Sequence, residues 1–199
     1  MQSRTSFFNG AVFRKNLSRF APVMALDTLL IVIMIMMAWS RTGVENRSYY
    51  FFNNAGSLFQ LMGMVNLVYA AVVAQLIFGD LFSSRMCNAL HAMPPRRECW
   101  FVTNVVSGLV YSLIPTAVGT LILLPLLAKT IFAGAWKVAF LFFLAANLEF
   151  VCFFGLAVFS VMMVGSRITM IAGYGLLNFG APICYWLVNS VYTPLLYGV

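Results

Sequence analysis

The chain has 199 residues, of which 62% are hydrophobic and only 9% charged, with a mean hydropathy of +0.93. A soluble domain covers its surface with roughly a quarter charged residues, so this composition excludes one and points to the bilayer. The net charge of +7 would suggest nucleic acid for a soluble protein, but here the basic residues lie between long apolar runs. Anionic lipid head groups are their expected counter-charge, and no nucleic acid is expected.

Residues 1–20 carry Arg4, Arg14, Lys15 and Arg19 among phenylalanines. Phe13, Leu17 and Phe20 fall at i, i+4 and i+7, on one stripe that leaves Arg14, Lys15 and Arg19 to the side, which predicts an N-terminal interfacial amphipathic helix over 1–20. Phe8 and Val12 fall toward the basic side, and the same residues also read as a positive leader that merely orients the first span. A cleavable signal peptide fits less well, because the leader is long and aromatic and Asp27 interrupts the run that follows.

The rest, 21–199, reads as one transmembrane domain. The first span is 21–39, with Pro22 at its start, where a missing amide hydrogen costs nothing. Its centre, Leu29 to Met37, could face lipid on every side. Residues 40–57 are expected to form an extramembrane loop with Tyr49 and Tyr50 at the interface. The second span, 58–78, holds Gln60, Asn66 and Gln75, whose amides should face other helices because hydrocarbon offers them no partner.

The polar segment 79–100 follows. Phe82, Met86, Ala89, Leu90 and Met93 recur at helical spacing while Ser83, Ser84, Arg85, Asn88 and His91 fall mostly elsewhere, so a short amphipathic helix is expected. Pro94 and Pro95 stop it, and Arg96-Arg97-Glu98 opens the next apolar run. The third span, 101–127, contains Pro115 and Pro125, each implying a kink, and Gly108 and Ser112 at small-xxx-small spacing. Residues 137–164 suffice for one tilted helix and are too few for two. After the turn at 165–167, the fifth span, 168–188, carries Gly173, Gly175 and Gly180 and should pack closely or bend. The fold expected is therefore all-α and polytopic, about five transmembrane helices behind an interfacial helix.

Counting alternate sides, Arg4, Arg14, Lys15, Arg19, Arg85, Arg96, Arg97 and Arg167 share one face of the membrane, against Arg41, Arg47, Lys129 and Lys137 on the other. The positive-inside rule then puts the N-terminus and the 79–100 loop in the cytoplasm.

Two carboxylates lie within apolar runs, and an ionised side chain at the bilayer centre costs about 2.5 kcal/mol or more. Glu149, with Asn147 two residues before it and Asn66 on the second span, is a candidate for the lining of a translocation pathway. The alternative is a structural hydrogen bond or a protonated, packed carboxyl. Asp27 lies a turn or two from the interface and could snorkel or pair with Arg19 or a head group. Cys87, Cys99, Cys152 and Cys184 form no CxxC pattern and are expected as free thiols. With a single histidine, His91, and no HExxH, neither a catalytic nor a metal site is expected. No GxxxxGK[ST] loop is present either, so any ATP would bind to another subunit.

Leu90-His91-Ala92-Met93-Pro94-Pro95-Arg96-Arg97-Glu98, followed by Trp100-Phe101, resembles the Leu/Tyr-His-Ser-Leu-Pro-x-Lys/Arg-Arg-Glu-x-Leu-Phe segment of ABC transporter permeases of the type-2 exporter class. The leader with Phe13-Arg14-Lys15-Asn16-Leu17 is similar to the interfacial helix that opens those permeases. The resemblance implies a transmembrane subunit in the bacterial cell membrane, forming a homodimer or heterodimer of permeases and pairing with ABC ATP-binding subunits that hold ATP and Mg. It makes 80–93 a coupling helix seated on the ATPase. Phe82, Met86, Leu90 and Met93 would be its apolar anchors, with Arg85, His91, Arg96 and Arg97 at its polar rim. Family members usually have six spans, whereas five are counted here, which fits either a shortened permease or a piece of a longer one. Pro95 also stands where an aliphatic residue is usual. Two other readings are a substrate-capturing subunit of an energy-coupling importer and a membrane interaction protein that transports nothing.

Overall fold

A computed structural model describes residues 8–40, 47–82, 97–128, 135–192 and 195. The described elements are all helical: α1 (Gly10–Arg19), α2 (Ala21–Ser40), α3 (Arg47–Phe78, extended by a 3-10 turn, Gly79–Phe82), α4 (Arg97–Ala128), α5 (Ala135–Met163) and α6 (Arg167–Leu187, ending in a π-helical turn, Val188–Tyr192). Five of them, α2 to α6, are long and apolar enough to cross a membrane. The protein is an all-α chain with the layout of a multi-pass membrane protein.

Local chemistry sets the boundaries. Asn9 caps α1, its Oδ1 accepting from the Ala11 and Val12 amides at 3.1 and 3.4 Å. The helix ends before Pro22 because a proline there has no hydrogen for the Ser18 carbonyl, and the chain restarts as α2 at Ala21. Ser166 caps α6 in the same manner, accepting from the Thr169 amide at 3.3 Å. The 29 residues of α5 form one uninterrupted helix, as their number argued.

Three expectations change. Residues 47–57 form the first turns of α3 rather than a loop. At 1.5 Å per residue its 32 residues reach about 48 Å, longer than a hydrocarbon layer of about 30 Å, so the helix is longer than the 58–78 span requires. The α2 span does not face lipid all round: Asp27, Ile31 and Ile35, spaced by four, are buried while Leu26, Leu29, Leu30, Ile33, Met36 and Met37 are exposed. In α6, only Met170 and Tyr174 are buried; a β-carbon would meet Ser160 Oγ at 3.9 Å at Gly173 and nothing within 4 Å at Gly175 or Gly180, so none of the three opens a close approach to another described helix.

The centre of the bundle is α5, held between α3 and α4, with α2 against α4, α6 at the edge on α5, and α1 crossing onto α4. Two apolar clusters fill it. One, toward the end where the 79–100 loop lies, is built from Tyr69, Val73, Ile77, Phe78, Tyr111, Phe150, Phe154 and Met170 among others. The other, at the opposite end, joins Ile31, Ile35, Met62, Leu123, Leu127 and Phe142. In the first, the Phe150 and Phe154 rings stack at 5.5 Å, and Gly108 admits the Phe154 ring, where any β-carbon would overlap it. The small residue at 108 therefore brings α4 onto α5, as its spacing suggested.

Candidate functional site

Polar groups concentrate in two places, the mounting of the loop and the interior of the bundle. At the loop end, the fully buried Phe78 meets Trp100 edge-on at 5.7 Å and Phe101 at 6.0 Å, which ties the last turn of α3 to the first turns of α4. Leu81 and Phe82 continue the packing. α1 is stitched to the same turns: the Asn9 amide donates to Thr103 Oγ1 at 3.0 Å and Asn16 Nδ2 to Asn104 Oδ1 at 2.8 Å. Leu17 and Phe20 pack on the core, and Arg14, Lys15 and Arg19 remain exposed. Gln75 adds α6, donating to the Arg167 carbonyl at 3.2 Å.

Of the residues expected to contact an ATPase, Arg85, Met86, Leu90, His91, Met93 and Arg96 lie outside the described residues. Arg97 is the first residue of α4. Phe82 is half-buried against the chain's own core, so part of its apolar surface is already covered.

In the interior, Asn66 and Glu149 come together. Asn66 Nδ2 on α3 donates to Glu149 Oε2 on α5 at 3.2 Å and to the Ala146 carbonyl at 3.3 Å. Gly63, one turn before Asn66, leaves the space that the Glu149 carboxylate fills: a β-carbon there would lie 2.5 Å from Oε1. Asn147 belongs to another contact. It accepts from Ser112 Oγ at 3.1 Å and donates to Thr116 Oγ1 at 2.9 Å, both on α4. Two residues apart on a helix means roughly opposite faces, so α5 uses Glu149 to hold α3 and Asn147 to hold α4.

A second layer had no forecast. Pro115 has no amide hydrogen for the Tyr111 carbonyl, and the Tyr69 hydroxyl donates to that carbonyl across the α3–α4 seam at 3.1 Å. The Tyr111 hydroxyl in turn donates to the Asn16 carbonyl of α1 at 2.9 Å. The proline was a signal for an orphan carbonyl on α4, but nothing in the sequence named its donor. Asp27 neither snorkels nor pairs with Arg19: it is 2% exposed and its Oδ1 has no hydrogen-bond partner. Among the described residues, no three His, Cys, Asp or Glu side chains gather as a metal site, and Cys99, Cys152 and Cys184 are free.

No family model, curated protein or solved structure matches the chain.

Proposed function

We propose that this chain is the transmembrane permease subunit of an ATP-binding-cassette exporter in a bacterial cell membrane, with its N-terminus in the cytoplasm. ATP and Mg are held by a separate ATP-binding subunit, and a second permease chain completes the translocation unit. The observation that supports this reading best is the mounting of the 83–96 segment. Both of its ends spring from turns cross-braced by Phe78, Trp100 and Phe101, and α1 is fastened to the same turns through Thr103 and Asn104. A force applied to a segment so mounted reaches three helices at once, which is what a coupling element requires. Anchors of this size carry most of the energy in small interfaces. Met86→Glu or Leu90→Glu should therefore release a co-purifying ATPase that has no spans of its own, with membrane insertion intact. Retention of that ATPase at the wild-type level by both variants would sink the proposal.

A further inference from the structure

Asp27 sits on the one stripe that α2 turns toward the bundle, 2% exposed, with Oδ1 unpartnered. α2 packs against α1, α3 and α4, and the titratable groups each could offer are few. From α3 comes Tyr69 and from α4 Tyr111, neither hydrogen-bonded to Asp27 Oδ1. Neither phenol has a hydrogen free. Tyr69 donates to the Tyr111 carbonyl, which Pro115 leaves without a helical donor, and Tyr111 donates to the Asn16 carbonyl. From α1 come Arg14, Lys15 and Arg19, all exposed, with Arg19 lying over the Phe20 ring at 5.1 Å. The spans themselves bring no basic residue except Lys137 and Arg167 at their extreme ends.

Among the described residues, an ionised carboxylate in that position would be a buried charge with neither donor nor counter-ion, which is strongly disfavoured. A metal cation would need several oxygen ligands converging on it, whereas Oδ1 is closed off by packing. The occupant that fits is the smallest one. We propose that Asp27 is a proton-binding site, and that its loading holds α2 against α3 and α4. The carboxylate takes a proton from hydronium while α2 stands off from its neighbours, one O–H bond forming and water leaving. The acceptor becomes a neutral O–H group, and the uncompensated buried charge is gone. Loss of the proton returns the charge and favours separation of α2. None of this depends on whether an ATPase docks on the loop.

The test is infrared spectroscopy of the full chain in lipid vesicles, following the carbonyl stretch of a protonated carboxylic acid as pH is raised, with Asp27→Asn and Glu149→Gln beside wild type. The expected result is a band present at neutral pH, lost in Asp27→Asn and retained in Glu149→Gln, and unchanged when sodium replaces potassium. The wild-type unfolding temperature should fall as pH rises, because the packed chain must then accept the charge or come apart, whereas Asp27→Asn should stay level. If Asp27→Asn does not fold, aspartate-specific carbon-13 labelling of the wild type should still shift the band, since Asp80 is the only other aspartate. A band that is absent at neutral pH, or insensitive to both the substitution and the label, would overturn the proposal. So would a band that follows the choice of sodium or potassium.

Discussion

α5 and α6 are both apolar enough to cross a membrane, yet one is the axis of the bundle and the other hangs at its edge. Apolarity does not separate them, because lipid tails are as apolar as leucine and provide no drive for helices to associate. The difference lies in what each helix presents to its neighbours. α5 offers Asn147 to Ser112 and Thr116, Glu149 to Asn66, and the stacked Phe150 and Phe154 rings to a wall that Gly108 opens. α6 offers little more than Met170, the Tyr174 hydroxyl on the Leu67 carbonyl at 2.9 Å, and the Arg167 carbonyl. In this protein, amides and shape complementarity decide which greasy helix is central.

The comparison can be broken most decisively at the phenylalanines. Phe150→Ala removes a ring that is 0% exposed and should cost about 3–5 kcal/mol, whereas Phe179→Ala on α6, where the ring is 51% exposed, should change stability by no more than about 0.5 kcal/mol. Equal losses in reversible unfolding would mean that α6 is packed as tightly as α5. The glycines provide a contrast of sign. Gly108→Val forces a branched side chain into the Phe154 ring and should destabilise by about 1–3 kcal/mol, while Gly175→Ala, in open space within a helix, should stabilise by about 0.4–1 kcal/mol. Asn147→Leu should lose about 0.6 kcal/mol per interhelical bond, with about 1.7 as a ceiling, visible as a lowered melting temperature. Glu149→Gln sharpens the comparison most finely. A glutamine oxygen can still accept from Asn66, so stability should move by less than about 0.6 kcal/mol; under the proposed permease reading, a fall in transport without a fall in stability would assign the carboxylate to a pathway. Parallel loss of both would assign it to structure.

Much of this architecture was legible in the residues. The five spans need only windows of about 20 apolar residues, which composition reveals directly. The helical leader showed in the spacing of Phe13, Leu17 and Phe20, and the close approach of α4 to α5 in Gly108 and Ser112. What escaped was pairing. The buried stripe of α2 is Asp27, Ile31 and Ile35, but isoleucines buried in protein and exposed to lipid look alike in sequence, so no periodicity marks it. Asn147 and Glu149 lie too close in sequence to share a face, which separates them in principle. That Gly63 makes room for one and Ser112 answers the other depends on the register of three helices. Tyr69 illustrates the same limit: Pro115 announces an unclaimed carbonyl, and only the folded chain shows which hydroxyl claims it.

The stitching of α1 to α4 also has a consequence for biosynthesis. Asn16 bonds to Asn104, a residue 88 positions later in the chain. At a translation speed of about 5–20 residues per second, the first helix waits roughly 4–18 seconds for that amide to leave the ribosome. Throughout this interval α1 can reach α2 and α3 but lacks the Thr103 and Asn104 side of its seat, so its final docking waits for the first turns of α4.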